Sequence, residues 1–180
     1  MRTLYMIGLL FLIGAATAAA GGSAEVTPQA GENGFTRVAA QDVELEWKVD
    51  GEKIVFVMSA PTTGWVAVGF DPDRAMKGAD MIFGFVEGGE AEISDHYGDG
   101  LFSHKADTAL GGSKDVRLIE GSEENGRTTL RFSVPIDSGD QFDRSLTPGE
   151  IHTVLFAYGP DGEDNFSAKH AFRSSAEFEL

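Results

Sequence analysis

The sequence predicts an all-β fold, an antiparallel β-sandwich in a single domain, because of its periodicity, its punctuation and one missing element. Short segments with an apolar residue at every second position recur along the chain, and Gly, Asp, Asn or Pro separates most of them. Beyond the first twenty residues, no window carries helical periodicity over ten or more positions. About nine short strands, with no long helix to cover a parallel sheet, call for two sheets packed on each other; a closed barrel is the competing architecture.

Taken in order, residues 1–20 place one positive charge at Arg2, an apolar run from Leu4 to Ile13, and small residues spaced as Ala-x-Ala up to Ala20. That is the pattern of a secretory signal peptide, with cleavage expected between Ala18 and Ala20. A membrane span takes about 20 apolar residues with charged flanks, and this run is shorter. The chain is therefore expected to be periplasmic or secreted, with no membrane span after signal cleavage. Residues 21–40 are rich in Gly, Ala and polar residues without a sustained period, which predicts a flexible tether ahead of a domain over 41–180.

The domain opens with a strict alternation, Val43, Leu45, Trp47 and Val49 against Glu44, Glu46 and Lys48, the pattern of a half-buried strand. Asp50-Gly51 is expected to supply the positive φ angles of a tight hairpin, and residues 53–60 return as a strand apolar on both faces, hence central. Further strands are expected over 64–70, 80–86, 91–97, 115–120, 128–135, 151–159 and 175–180. The loops at 71–79, 98–114 and 159–174 hold many residues able to do chemistry, and loops on a rigid β scaffold are where binding residues concentrate.

Composition narrows the function. Loss of the leader removes Arg2 and no acid, leaving 13 basic against 29 acidic residues, a net charge of −16. Such a surface repels nucleic acid and anionic membrane, so neither is an expected partner, although it can steer a cationic one. The chain has no cysteine. Disulfides, thiolate metal sites, a Cys nucleophile and covalent haem attachment through C-x-x-C-H are thereby excluded, and the fold depends on its core. The roughly 160 residues left suffice for one such core. No G-x-S-x-G elbow and no Gly-rich phosphate loop is present, which argues against a hydrolase and a nucleotide enzyme.

The candidate soft or imidazole ligands are Met58, Met76, Met81, His96, His104, His152 and His170. Met58 and Met81 lie in strand patterns, where Met usually fills core space, and His152 reads as a hydrogen-bonded histidine near a strand end. Met76 stands in the turn Asp71 to Asp80 between two apolar strands, where the structural alternative is a Met folded back to cap the sandwich. His170 follows a polar loop and precedes the last strand. Asp95, His96, Asp99 and His104 form a second, weaker metal-site candidate. The acidic loops at 71–73 and 161–165 lack the ordered pattern of an EF-hand and read as ordinary turns.

The segment from Trp65 to Phe70, the Met76-Lys-Gly-Ala-Asp80 run, Asp95-His-Tyr97, Ala157-Tyr-Gly159 and Lys169-His-Ala-Phe-Arg-Ser174 occur in an order that resembles the DOMON domain, including its cytochrome members. The resemblance implies an immunoglobulin-like β-sandwich holding one non-covalent haem b, with Met76 and His170 as the axial ligands. Trp65, Phe70, Phe83, Phe85, Phe166 and Phe172 would wall the slot, with ordinary sandwich core as the alternative for each. Lys77, Lys169 and Arg173 are the cations available to haem propionates, or else solvated surface charge. Gly78 and Asp80 are expected to shape the turn and not to ligate. The implied role is one-electron transfer with an unidentified redox partner and no substrate turnover of its own; other DOMON members, without a ligand pair, bind sugars or other small molecules, and that is the alternative here.

Overall fold

The period-two segments become strands, and their parity decides which sheet face each side chain takes. The computed structural model describes residues 24–180; the expected leader at 1–20 lies outside them. In chain order the strands are β1 (Ala24–Glu25), β2 (Gln29–Ala30), β3 (Thr36–Ala40), β4 (Val43–Asp50), β5 (Lys53–Ala60), β6 (Val66–Phe70), β7 (Asp80–Glu87), β8 (Glu90–Gly100), β9 (Ser103–Ala106), β10 (Arg117–Glu124), β11 (Arg127–Pro135), β12 (Ile151–Tyr158) and β13 (Phe172–Glu179). One short helix, α1 (Asp107–Leu110), follows β9. The first sheet runs β1-β13-β12-β6-β7-β8-β9 and the second β10-β11-β5-β4-β3-β2. Every pairing is antiparallel except β1 with β13. The predicted β-sandwich is thus the fold, and no described helix is long and apolar enough to cross a membrane.

The two inner faces meet in one core. Val43, Leu45, Trp47, Ile54, Phe56, Met58, Leu130 and Phe132 come from the second sheet, and Val66, Val68, Phe70, Ile82, Val154, Phe156 and Phe178 from the first. Phe56 is central: its ring lies 5.4 Å from Phe70 across the sandwich and 5.6 Å from Phe132 on the neighbouring strand. Burying each such side chain contributes about 1.5–3 kcal/mol. Gly84 on β7 permits the close approach of Leu130, since a Cβ there would overlap the Leu130 methyl and the Glu92 carbonyl.

Several local expectations change. Residues 36–40, expected in the tether, form β3, which pairs with Ala40 opposite Val43 and Thr36 opposite Trp47. Val38 and Ala40 turn inward there, a stretch too short for its alternation to stand out in the sequence. Val49, on the inward parity of β4, is 42 % exposed beside the hairpin turn. In that turn Gly51 adopts a positive φ (+63°) and Asp50 does not. The last strand also begins three residues early, at Phe172, and the 98–114 loop contains β9 and α1.

Candidate functional site

Strand β7 is buried on both faces, which sets the site apart from an ordinary sandwich surface. Its inward residues, Ile82 and Val86, join the core, while Met81, Phe83 and Phe85 point out of the sandwich into a second apolar cluster with Trp65, Ala67 and Ala79. Leu155, Ala157, Met76, Phe166 and Ala168 pack against it. Cross-strand register explains its floor: Ala67 lies between Phe83 and Ala157, and Gly69 between Met81 and Leu155. Small residues in the middle, flanked by aromatic and aliphatic ones, make a flat apolar platform, and side chains from two loops cover it.

Met76 belongs to the first of these loops, between β6 and β7. A turn closed by Lys77 N–H to Arg74 O (3.0 Å) and Ala79 N–H to Met76 O (3.1 Å) sets its position, with Gly78 at φ +80°. Gly78 N–H donates to Gly98 O, and Gly98 N–H donates to Ala79 O, so the turn lies flat on β8. Glycine is required at 98, because a Cβ there would overlap the Met76 carbonyl.

The second loop, residues 159–171, joins β12 to β13. Its ends are fixed by Gly159 N–H to Trp65 O (2.8 Å), Trp65 N–H to Glu163 O (3.1 Å) and Ala171 N–H to Tyr158 O (2.8 Å). The Asn165 side-chain oxygen accepts from the Ser167 and Ala168 amides and shapes its middle. Phe166 is thereby laid on the platform, its ring 5.9 Å from Phe83 and 5.1 Å from Phe85. His170, two residues beyond Ala168, is half-buried. Burial, and then the charges of Arg173 and Lys169, lower its pKa, so the imidazole is neutral near pH 7 and a ring nitrogen is free to donate to a metal.

Of the residues named from the sequence, Met76, Trp65, Phe83, Phe85 and Phe166 come together at this platform. Arg173 lies opposite Ala157 in the register of β13, and Lys169 is exposed on the second loop. Phe70 is a correction. It occupies the opposite parity of β6 from Ala67, is fully buried in the sandwich interior, and cannot face the platform. Phe172 likewise stacks on Tyr158 (5.0 Å, 13°) at the margin of the main core. Met58 is core filler, whereas Met81 is packed in the outer cluster. The parity of 81, 83 and 85 against 82, 84 and 86 was the available signal for that second face.

The structure divides the weaker metal candidate. His96 and His104 stand beside Phe83, with Nδ1 atoms 2.9 Å apart and His104 stacked on the Phe83 ring at 4.4 Å. Burial and then the neighbouring His104 lower the His96 pKa to about 4, and burial lowers that of His104. Asp95 bonds the amides of Asp115 and Val116 instead, and Asp99 pairs with Lys105. Among the described residues, no third imidazole or carboxylate completes a metal site with the two histidines.

His152 is the hydrogen-bonded histidine expected, with Nδ1 2.6 Å from Asp71 Oδ2. The Asp71 bond raises the His152 pKa against the opposing effect of burial. For Asp71, burial acts upward, but the His152 bond, the Thr153 amide and nearby positive charge outweigh it and lower the pKa. The His152 contribution is complete below its ordinary 6.5 and fades as pH rises through its raised value; the Asp71 contribution is complete above 3.8 and fades as pH falls through its lowered value. His152→Gln is therefore expected to cost about 2 kcal/mol at pH 5.5 and less at pH 8. Urea midpoints at both pH values measure this, and an equal cost at the two would refute the ion pair.

The DOMON domain family profile matches residues 39–159. The chain is 34 % identical over 136 residues to the mouse (Mus musculus) DBH-like monooxygenase protein 2, covering 74 % of this chain and 21 % of that protein. It is 33 % identical over 123 residues to the human (Homo sapiens) DOMON domain-containing protein FRRS1L, covering 66 % of this chain and 39 % of that one. The chain thus spans well under half the length of these relatives. Among solved structures, it superposes on the cytochrome b domain of pyranose dehydrogenase from Coprinopsis cinerea with a TM-score of 0.62 at 13 % identity, covering 84 % of this chain and 86 % of that one. The cytochrome domain of Myriococcum thermophilum cellobiose dehydrogenase gives 0.62 at 9 % identity, covering 88 % and 90 %. At such identities the likeness is one of fold.

Proposed function

The chain belongs to the DOMON domain family, and from that premise we propose that it is an exported b-type cytochrome module, holding one non-covalent haem between Met76 and His170 and passing single electrons to or from a redox partner. The observation that carries this reading is the second apolar cluster, a platform outside the sandwich core onto which the Met76 loop and the loop leading to His170 both converge. The donor set suits the group. A polarizable thioether and a neutral imidazole are a known axial pair, and the platform supplies aromatic and aliphatic walls of the kind that cofactor sites use. Trp65 Nε1 is a buried donor with no partner, available to an acceptor on a bound group.

When bound, the haem would supply a one-electron couple, and thioether ligation favours its reduced state. The protein's own residues do the rest. Gly98 and the 74–79 turn hold Met76 against β8. Burial, and then the charges of Arg173 and Lys169, lower the His170 pKa, and the same two cations would be available to propionates. Phe83 and Phe85, in the cluster against which Met76 packs, would keep water from the Met76 side of the bound group. The acidic surface favours a partner with a positively charged docking face.

An absorption spectrum of the purified chain, titrated with haemin and then reduced, tests the proposal. The expected result is one haem per chain, a Soret band, and sharp reduced-state bands. A protein that stays colourless sinks it and favours the haem-free reading, in which the platform takes a sugar or another small molecule.

A further inference from the structure

We propose that the chain has a calcium site, separate from the Met76–His170 region, formed by Asp80, Asp95 and Asp143. Asp80 opens β7, Asp95 lies in the middle of β8, and Asp143 comes from the loop between β11 and β12. One carboxylate oxygen from each lies within 4.8 Å of the other two. Oxygens on opposite sides of a Ca²⁺ ion, each at about 2.4 Å, are about 4.8 Å apart, so the three fit within one coordination shell. A cavity of about 10 Å³, measured as the space open to the centre of a water-sized sphere, lies among them. That is room for about one occupant.

Unpaired buried oxygens point to the ligand independently. Asp95 is only 3 % exposed; its Oδ2 accepts the Asp115 and Val116 amides at 2.8 and 3.1 Å, while its Oδ1 has no partner. Asp143 Oδ1 and both oxygens of the fully buried Asp107, on α1, are unpartnered as well. Asp80 is 7 % exposed and accepts one bond, from the Arg144 amide at 3.2 Å. Buried carboxylates left without donors are costly and rarely kept. Among the described residues, none of these four acids forms an ion pair with Lys, Arg or His. The nearby Arg144 guanidinium is engaged elsewhere, with Gly78 O at 2.8 Å and Asp73 at 3.0 Å.

The chemistry selects the ion. An all-oxygen donor set with no nitrogen or sulfur suits a hard cation. Mg²⁺ keeps several of its waters, and a cavity with room for one occupant leaves them no place, whereas Ca²⁺ accepts a shell of protein carboxylates and carbonyls. Bound there, the ion would tie β7 and β8 to the loop between β11 and β12, through Asp80, which stands four residues after Met76. It requires no haem, so its test stands apart from the spectrum above.

The test uses the full chain, stripped with EDTA and dialysed, with thermal unfolding followed by circular dichroism and CaCl₂ titrated by calorimetry. One Ca²⁺ per chain is expected, with a Tm rise of about 5–10 °C at a hundredfold excess over Kd. Asp143→Asn and Asp95→Asn should each bind at least tenfold more weakly and lose most of that rise. Asp143 lies on a loop, so its variant remains informative if the Asp95 variant does not fold. Asp161→Asn, in the other acidic loop, should behave as the parent. The site is overturned if Ca²⁺ gives neither heat nor a Tm shift, or if Asp143→Asn retains both; an equal response to MgCl₂ overturns the assignment to calcium.

Discussion

His170→Ala is expected to abolish the sharp reduced-state bands of the haem-loaded chain, while Met76→His keeps a six-coordinate spectrum and lowers the midpoint potential. A thioether is a weak donor that stabilises reduced iron, and a second imidazole removes that bias. Axial ligands span roughly 0.8 V of potential across haem proteins, and a downward shift on the order of 100 mV is expected for this exchange. Neither substitution should unfold the domain, because both side chains are half-buried in loops outside the main core. Spectroelectrochemical titration with far-ultraviolet circular dichroism separates loss of a ligand from loss of fold. An unaltered potential in Met76→His would remove Met76 from the iron.

Phe56→Ala is expected to lower the stability of the domain by about 3–5 kcal/mol, the range for truncating an aromatic in a closed core. Phe56 is fully buried and contacts both Phe70 and Phe132, so no rearrangement of one neighbour fills the void. Phe166→Ala, on the loop over the platform, removes a half-buried ring from the outside of the sandwich and should cost less than about 1.5 kcal/mol. Urea denaturation of the two variants compares the layers directly. Equal losses would mean that the platform is part of the folding core and not a surface added to it.

The sandwich was legible because alternation is a local property. Strands β4 through β8 and β11 through β13 each carry an apolar parity or an apolar run that a reader of the chain can count, whereas β10 was legible only in part, expected over 115–120 and found at Arg117–Glu124, because Gly121 to Glu124 carry no apolar residue. β3 was not, because five residues are too few for a period to emerge, and it is held by pairing with β4. β9 and α1 escaped for the same reason.

The site divides in the same way. The sequence alone determined the class of fold, the absence of any cysteine chemistry and the acidic balance, and it set Met76 and His170 in loops, where the family resemblance, not their local chemistry, offers them as a pair. Only the tertiary structure decided that β7 is buried on both faces, that Phe70 points inward while Phe83 and Phe85 point out, and that the Met76 turn lies flat on β8 through Gly98. It also brought Asp80, Asp95 and Asp143, up to 63 residues apart in the chain, around one small cavity. The physical reason is that periodicity records which face of a strand is apolar, whereas the neighbour that covers that face is chosen by sheet order and loop path, through contacts between residues remote in sequence.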